Sequence, residues 1–449
     1  MLIIGGSDAG ISAALRAREV DPEVAVTVIV SDRFPNFSIC GLPFFLSGEV
    51  ENWESLAHRT SENIEAEGIA LLLEHRASAI DPESKSVRVE DKKGATQQCA
   101  YDRLVIATGA VPLVPPIEGL DLPAVFPLRW MEDGFAFKKY LDERAPESIV
   151  LVGGGYIGME MADAMIRRGL AVTVIEHAHT VLNNVDPSFG RLICEKLRSR
   201  GVNVVLGVRV EEIVIEGDRL GIRCSQGFET VGDMVLVAAG SRPMTDLAEG
   251  TLLTKGSNGA LSVNRRMETN IPDVYAAGDC VETWHRLLGE NVYLPLGSTA
   301  HKQGRVAGEN AAGGSREYQG TLGTQVVKIF DYVVARTGLN ERESSLAGFD
   351  PAVAAIETWD HKLYYPGAQK IHLRILGDKK NRRLLGAQIL GHHGSEVAKR
   401  IDILAAALYH GMRIDDLSDI DLSYTPPLSN PWDPVQMCAQ AWCMSQQVT

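Results

Sequence analysis

The sequence predicts an α/β protein: two nucleotide-type βαβ halves followed by a smaller α+β unit. Three observations predict it, namely a Gly-rich strand–turn–helix at the N-terminus, a second copy in mid-chain, and a change of texture after Thr324. The first copy is Leu2-Ile3-Ile4-Gly5-Gly6-Ser7-Asp8-Ala9-Gly10, with a helix expected over 11–19 and a strand over 24–30. The second is Ile149-Val150-Leu151-Val152-Gly153-Gly154-Gly155-Tyr156-Ile157-Gly158, with a helix expected over 159–168 and a strand over 171–176. The closing strands are near copies, Val26-Thr27-Val28-Ile29-Val30 against Val172-Thr173-Val174-Ile175-Glu176.

Such a turn lets the backbone approach a pyrophosphate, while the following helix offers amides and a positive dipole end. Two of them mean two dinucleotide sites. The second carries the full set, Gly153, Gly155 and Gly158, and ends its next strand on Glu176. An acid there accepts from a ribose 2′-hydroxyl and repels a 2′-phosphate. His177-Ala178-His179 offers no Arg or Lys, so NADH is favoured over NADPH. The first copy keeps Gly5 and Gly10 but has Ser7 at the middle position and Val30 in place of the acid. Asp32 is the candidate ribose contact, a solvated loop acid being the alternative.

A second duplication supports this reading. Leu104 to Pro112, with Thr108 and Gly109, matches Met234 to Pro243, with Gly240, and each reads as a buried strand broken at a glycine near a nucleotide. Further on, Ala276-Ala277-Gly278-Asp279 puts an acid just past a buried strand end, where it can hold the sugar-like chain of a flavin. Ser298-Thr299-Ala300-His301 reads as the start of a helix whose amides face a cofactor ring. Beyond Thr324 a strand is expected over 324–336, a strand pair over 371–376 and 384–390, and an amphipathic helix over 395–410.

A chain of 449 residues is too long for one ordinary core. A net charge of −14 argues against a nucleic-acid or anionic-membrane partner, and no apolar run approaches the length of a membrane span. Seven scattered cysteines without a CxxC fit a reducing compartment, so a cytoplasmic protein is expected.

One of those cysteines stands apart. In Phe37-Ser38-Ile39-Cys40-Gly41-Leu42-Pro43-Phe44-Phe45 it ends an extended segment, and a proline suited to a first helical turn follows. At a helix N-terminus, free amides and the dipole favour the thiolate. The competing reading is a buried structural cysteine.

With the two nucleotide units, Ala107-Thr108-Gly109 and Ala277-Gly278-Asp279, that cysteine makes the whole chain resemble the flavoprotein disulfide reductases. A lone Cys40, without a second cysteine nearby, is similar to their single-cysteine branch, which includes coenzyme A disulfide reductases, NADH oxidases and peroxidases, and persulfide reductases. The resemblance implies an FAD-binding domain of 1–112 with 271–322, an NAD(P)H-binding domain of 113–270, and a dimerisation domain of 323–449. It implies hydride transfer from NADH to FAD, electrons passed to Cys40, and reduction of a small disulfide, persulfide or polysulfide in a homodimer with a shared active site. Tyr156 matches the ring that gates the nicotinamide pocket, and Glu160 an acid near the flavin edge. Tyr365 and Tyr424 match tyrosines that the partner subunit brings to the cysteine, and Tyr364 is an alternative to Tyr365. His301 matches a substrate-contacting histidine, a structural histidine being the other reading. The branch's alternatives are an NADH oxidase reducing O2 through a cysteine sulfenate, and a slow redox-sensing or electron-transfer flavoprotein.

Some positions depart from the pattern. Glu19 and Trp432 replace bases expected for coenzyme A, the 62–68 segment is acidic, and Asn36 and Ile39 stand for Ser and Asn. Asp8 occupies the first-turn position where NADH peroxidase has a histidine. Cys438 and Cys443 resemble the thiol relay of some relatives, with burial at the interface as the alternative.

Overall fold

The computed structural model describes residues 1–447. Two five-stranded parallel sheets share the order of four strands and differ in the chain position of the fifth, outer one. In the first the order is Val274–Ala276, Leu104–Ile106, Leu2–Ile4, Val26–Ile29 and Ile69–Leu72. In the second it is Val125–Phe126, Met234–Val237, Ser148–Val152, Ala171–Glu176 and Asn203–Leu206. The central strands are almost wholly buried, as apolar runs covered on both faces require. A three-stranded antiparallel sheet is appended to each half, His75–Asp81 with Ser86–Asp91 and Thr96–Ala100, and Val210–Glu216 with Arg219–Cys224 and Glu229–Gly232.

Both first helices begin earlier than expected, at Asp8 and Tyr156 rather than Ile11 and Met159. Ser7 and Gly155 are the extended N-cap residues, so Gly10 and Gly158 fall inside the first turn. A poor helix former is used there because the helix crosses its own strand end closely. A Cβ on Gly10 would collide with the Gly5 carbonyl, and one on Gly158 with the Gly153 carbonyl.

The helix Gly297–Ala311 packs along Asp8–Val20, with Gly304 and Gly308 against the carbonyls of Ala9 and Ala13. That contact brings Ala300 and His301 to the first glycine turn. The duplicated strand ends meet each other: Ala110–Pro112 pairs antiparallel with Ser241–Pro243, and Leu113 N–H donates to Gly240 O at 2.9 Å. The link joins the two halves at their nucleotide ends.

The third region is an antiparallel sheet in the order Gln325–Ile329, Tyr332–Gly338, Leu384–His392, Lys370–Asp378, Pro351–Trp359. The single strand expected over 324–336 is a hairpin turning at Phe330-Asp331, with Phe330 at φ 55°. The helices Val397–Tyr409 and Pro434–Ser445 cover this sheet. No helix among the described residues is long and apolar enough to cross a membrane.

Candidate active site

A cavity of about 750 Å³ opens between the two parallel-sheet halves. Gly5, Asp32, Thr108, Gly109, Gly278, Asp279 and Ala300 line it from the first half, and Tyr156, Ile157 and Glu160 from the second. Cys40 is the one cysteine among its described lining residues. Gly10, Gly153, Gly155, Gly158, Glu176, Gly240 and His301 lie outside the lining. Tyr365 and Tyr424 are not brought to it within one chain. They are exposed on neighbouring loops of the third region, joined by Lys362 N–H donating to Pro426 O at 3.3 Å.

Cys40 sits in the 3₁₀ turn Ile39–Gly41, just ahead of the helix Leu42–Ser47 with Pro43 in its first turn. An aromatic cluster anchors the loop before it: Phe34 meets Phe37 and Trp53 edge-on, each at 5.6 Å between centroids, and Phe37 stacks on Trp53. Asn36 N–H donates to Gly6 O at 2.7 Å and His58 N–H donates to Asn36 O at 2.9 Å, which ties the loop to the first glycine turn. The thiol faces the cavity, but its pKa is shifted against the sequence expectation. Burial pushes it up, the Glu160 and Asp8 carboxylates add to the rise, and Arg129 opposes it. Burial is the largest of these causes, with the acids across the cavity second.

Burial pushes Glu160 up to about 7, with Lys328 pulling the other way. It pushes Asp32 up to about 6, although the Phe34 amide donates to that carboxylate at 2.8 Å. Because Glu160 raises the Cys40 pKa, Glu160→Gln lowers it. Site-resolved alkylation of Cys40 against pH is expected to shift to lower pH in that variant. The wild-type profile is expected to carry an added inflection near about 7, where Glu160 ionises and slows further thiolate formation.

The Glu176 carboxylate is buried and accepts from Gly154 N–H at 2.6 Å and Ala178 N–H at 2.8 Å. It thus fixes the second glycine turn as well as marking the strand end. The Tyr156 hydroxyl accepts from Asn184 Nδ2 at 2.9 Å, and the same amide donates to Gln325 Oε1 at 2.7 Å. Thr108 donates its hydroxyl proton to Met244 O.

Sequence reasoning missed Arg129, whose Nη2 donates to Asp279 Oδ2 at 2.7 Å in the cavity wall. No motif spacing marks it. Arg129 Nε is buried in that wall without a hydrogen-bond partner, a donor free for an acceptor on a large polar cofactor. The C-terminal thiols are remote. Cys438 is buried against Ala354 O, its thiol pushed up to about 12 by burial, and Cys443 faces Asp415 at 3.7 Å.

The pyridine nucleotide-disulphide oxidoreductase family matches residues 1–304, and its dimerisation domain matches residues 324–434. The chain belongs to this family. Flavin and NAD(P)H use follow from that membership. The chain is 37% identical to "NAD(P)H sulfur oxidoreductase (CoA-dependent)" of Pyrococcus abyssi, over 98% of this chain and 97% of the relative. It is 33% identical to an NADH oxidase of Methanocaldococcus jannaschii, over 98% and 97%. The solved "NAD-Dependent Persulfide Reductase from A. fulgidus" superposes with a TM-score of 0.95 at 37% identity, covering 100% of this chain and 83% of that one.

Proposed function

We propose that this chain is an FAD-dependent NADH oxidoreductase that reduces a small disulfide, persulfide or polysulfide through Cys40. The observation that carries the reading is a single thiol in a cavity framed by both glycine-turn halves. In this reading residues 1–112 and 271–322 hold FAD, 113–270 hold NADH, and 323–449 form a homodimer interface. Gly5, Thr108, Gly109, Gly278, Asp279 and Ala300 would hold the flavin nucleotide, with Asp32 at its ribose and Arg129 fixing the Asp279 carboxylate. The chemistry FAD supplies when bound is hydride uptake from the nicotinamide and delivery of the electron pair to sulfur.

The Cys40 thiolate attacks one sulfur of the acceptor, forming a Cys40–sulfur bond and breaking the sulfur–sulfur bond. The second sulfur leaves as a thiolate or hydrosulfide and takes a proton. Two electrons that originate in NADH would then cleave the mixed disulfide, restoring the Cys40 thiolate and releasing the acceptor's attacked sulfur as a second thiolate that takes a proton. Tyr365 and Tyr424 of a second copy would stabilise the departing sulfur through their hydroxyls, whereas His301, outside the cavity lining with Nδ1 on Ser12 and Nε2 beside Asp8, is not given the substrate contact.

Small sulfur acceptors fit better than coenzyme A disulfide. Arg16 is spent on Glu19 at 2.7 Å and Glu309 at 2.8 Å, and Arg18 on the carbonyls of Glu67, Pro22 and Val24. NADH is supported by the buried Glu176 carboxylate, held in place by two amides. Glu176→Gln is expected to raise NADPH use relative to NADH about ten-fold in kcat/KM, a difference of about 1.4 kcal/mol. An unchanged ratio counts against this assignment.

The named NADH oxidase relative favours one second reading, reduction of O2 through a Cys40 sulfenate. Anaerobic assay separates the two. Turnover of polysulfide or a small disulfide without air supports the sulfur reading, and NADH consumption that needs only air supports the oxidase.

A further inference from the structure

We propose that Asp8, His58 and His301 form a binding site for one divalent transition-metal ion of the zinc class, open on one side to the Cys40 cavity. These residues come from the first turn of Asp8–Val20, from the loop after Ala57, and from the helix Gly297–Ala311. One ligand atom from each lies within 4.8 Å of the other two.

The geometry of the pair Asp8–His301 carries the inference. Asp8 Oδ1 is buried and makes no hydrogen bond, although His301 Nε2 stands 3.3 Å from it. A plain ion pair would direct an N–H at that oxygen. A separation of 3.3 Å instead matches the edge of a tetrahedron whose zinc–nitrogen and zinc–oxygen bonds are about 2.0–2.1 Å. Ser12 Oγ lies 2.9 Å from His301 Nδ1. A proton on Nδ1, donated to that hydroxyl, leaves the Nε2 lone pair facing Asp8, which is how outer-shell partners orient metal-bound imidazoles.

Two sides of the site are rigid, because the helices bearing Asp8 and His301 touch through Gly304 and Gly308. The third is adjustable. The His58 amide is tied to Asn36 O, but its side chain is exposed and can close the remaining distance. Two imidazoles and a carboxylate leave a fourth position for water or an anionic sulfur ligand. That position faces the cavity, since Asp8 and His58 both line it. A cation there also offsets the crowding of Asp8, Asp279 and Glu160 around the thiol.

The test is a Co²⁺ titration of the oxidised, flavin-loaded protein, read by tetrahedral Co²⁺ absorbance at longer wavelength than the flavin band. Wild type and Cys40→Ser are each expected to take up one ion per chain and to release it to Zn²⁺. Asp8→Asn and His58→Ala are expected to weaken uptake at least ten-fold, and Ser12→Ala about ten-fold. His58→Ala is a surface change, so it keeps the test valid if Asp8→Asn loses flavin. No uptake by wild type, equal uptake by Asp8→Asn and His58→Ala, or loss of uptake in Cys40→Ser overturns the proposal. The last result would assign the ion to the thiol.

Discussion

Cys40→Ser is expected to abolish reduction of every sulfur acceptor, by at least about 10³-fold, while flavin bleaching by NADH persists. Ile39 and Cys40 both line the cavity, but hydride transfer from nicotinamide to flavin makes and breaks no bond to the Cys40 sulfur, so the two half-reactions separate. Losses of this size follow removal of a nucleophile from an otherwise intact site. A serine hydroxyl cannot replace it, because its oxygen stays protonated and cannot cycle through a sulfur–sulfur bond. Stopped-flow flavin reduction and steady-state acceptor turnover, measured on the same preparation without air, check both halves. Retained acceptor turnover contradicts the assignment.

Arg129→Ala is expected to release the flavin, weakening its retention by about 2–5 kcal/mol, the usual cost of truncating one member of a buried charge pair. The guanidinium is the close partner of Asp279, at 2.7 Å, and both side chains are mostly covered. Without it the Asp279 carboxylate faces Asp8, whose own pKa burial has already raised. Arg129 is also the cation opposing the rise in the Cys40 pKa, so the thiol in this variant is expected to titrate still higher. Flavin content after gel filtration reads the first effect and alkylation against pH the second. Arg129→Lys, which keeps the charge but not the fork, is expected to fall between.

What could be read from the chain follows from how local each feature is. The two βαβ halves were legible because Gly5 and Gly10, and Gly153 and Gly158, repeat one spacing between an apolar strand and a helix. Helix starts were placed three residues late, after the glycine turns, whereas Gly10 and Gly158 sit in first turns where a Cβ does not fit. The matching strand ends at Gly109 and Gly240 were visible as repeats, but their pairing with each other is a long-range contact with no sequence period. The hairpin at Phe330-Asp331 lacks the Asn-Gly or Asp-Gly signature of tight turns, so it read as one strand.

The site divides along the same line. Cys40 and the cavity-lining Thr108, Gly109, Gly278 and Asp279 lie in contiguous motifs. Arg129, Asn184 and Lys328 act on Asp279, Tyr156 and Glu160 from segments that carry no motif. The direction of the Cys40 shift was misread because its largest cause, burial, and its largest charged influence, Glu160 on the helix of the other half, both come from long-range packing. A helix N-terminus can be seen in sequence, but a carboxylate across a cleft cannot.

Intact-mass and peptide-level analysis of the flavin-loaded protein, exposed without air to a small disulfide and quenched with acid, tests the central claim most directly. One disulfide-linked adduct on Cys40, reversed by NADH, is the result the account predicts. Turnover with no adduct at Cys40, or with the adduct on another of the seven cysteines, contradicts it.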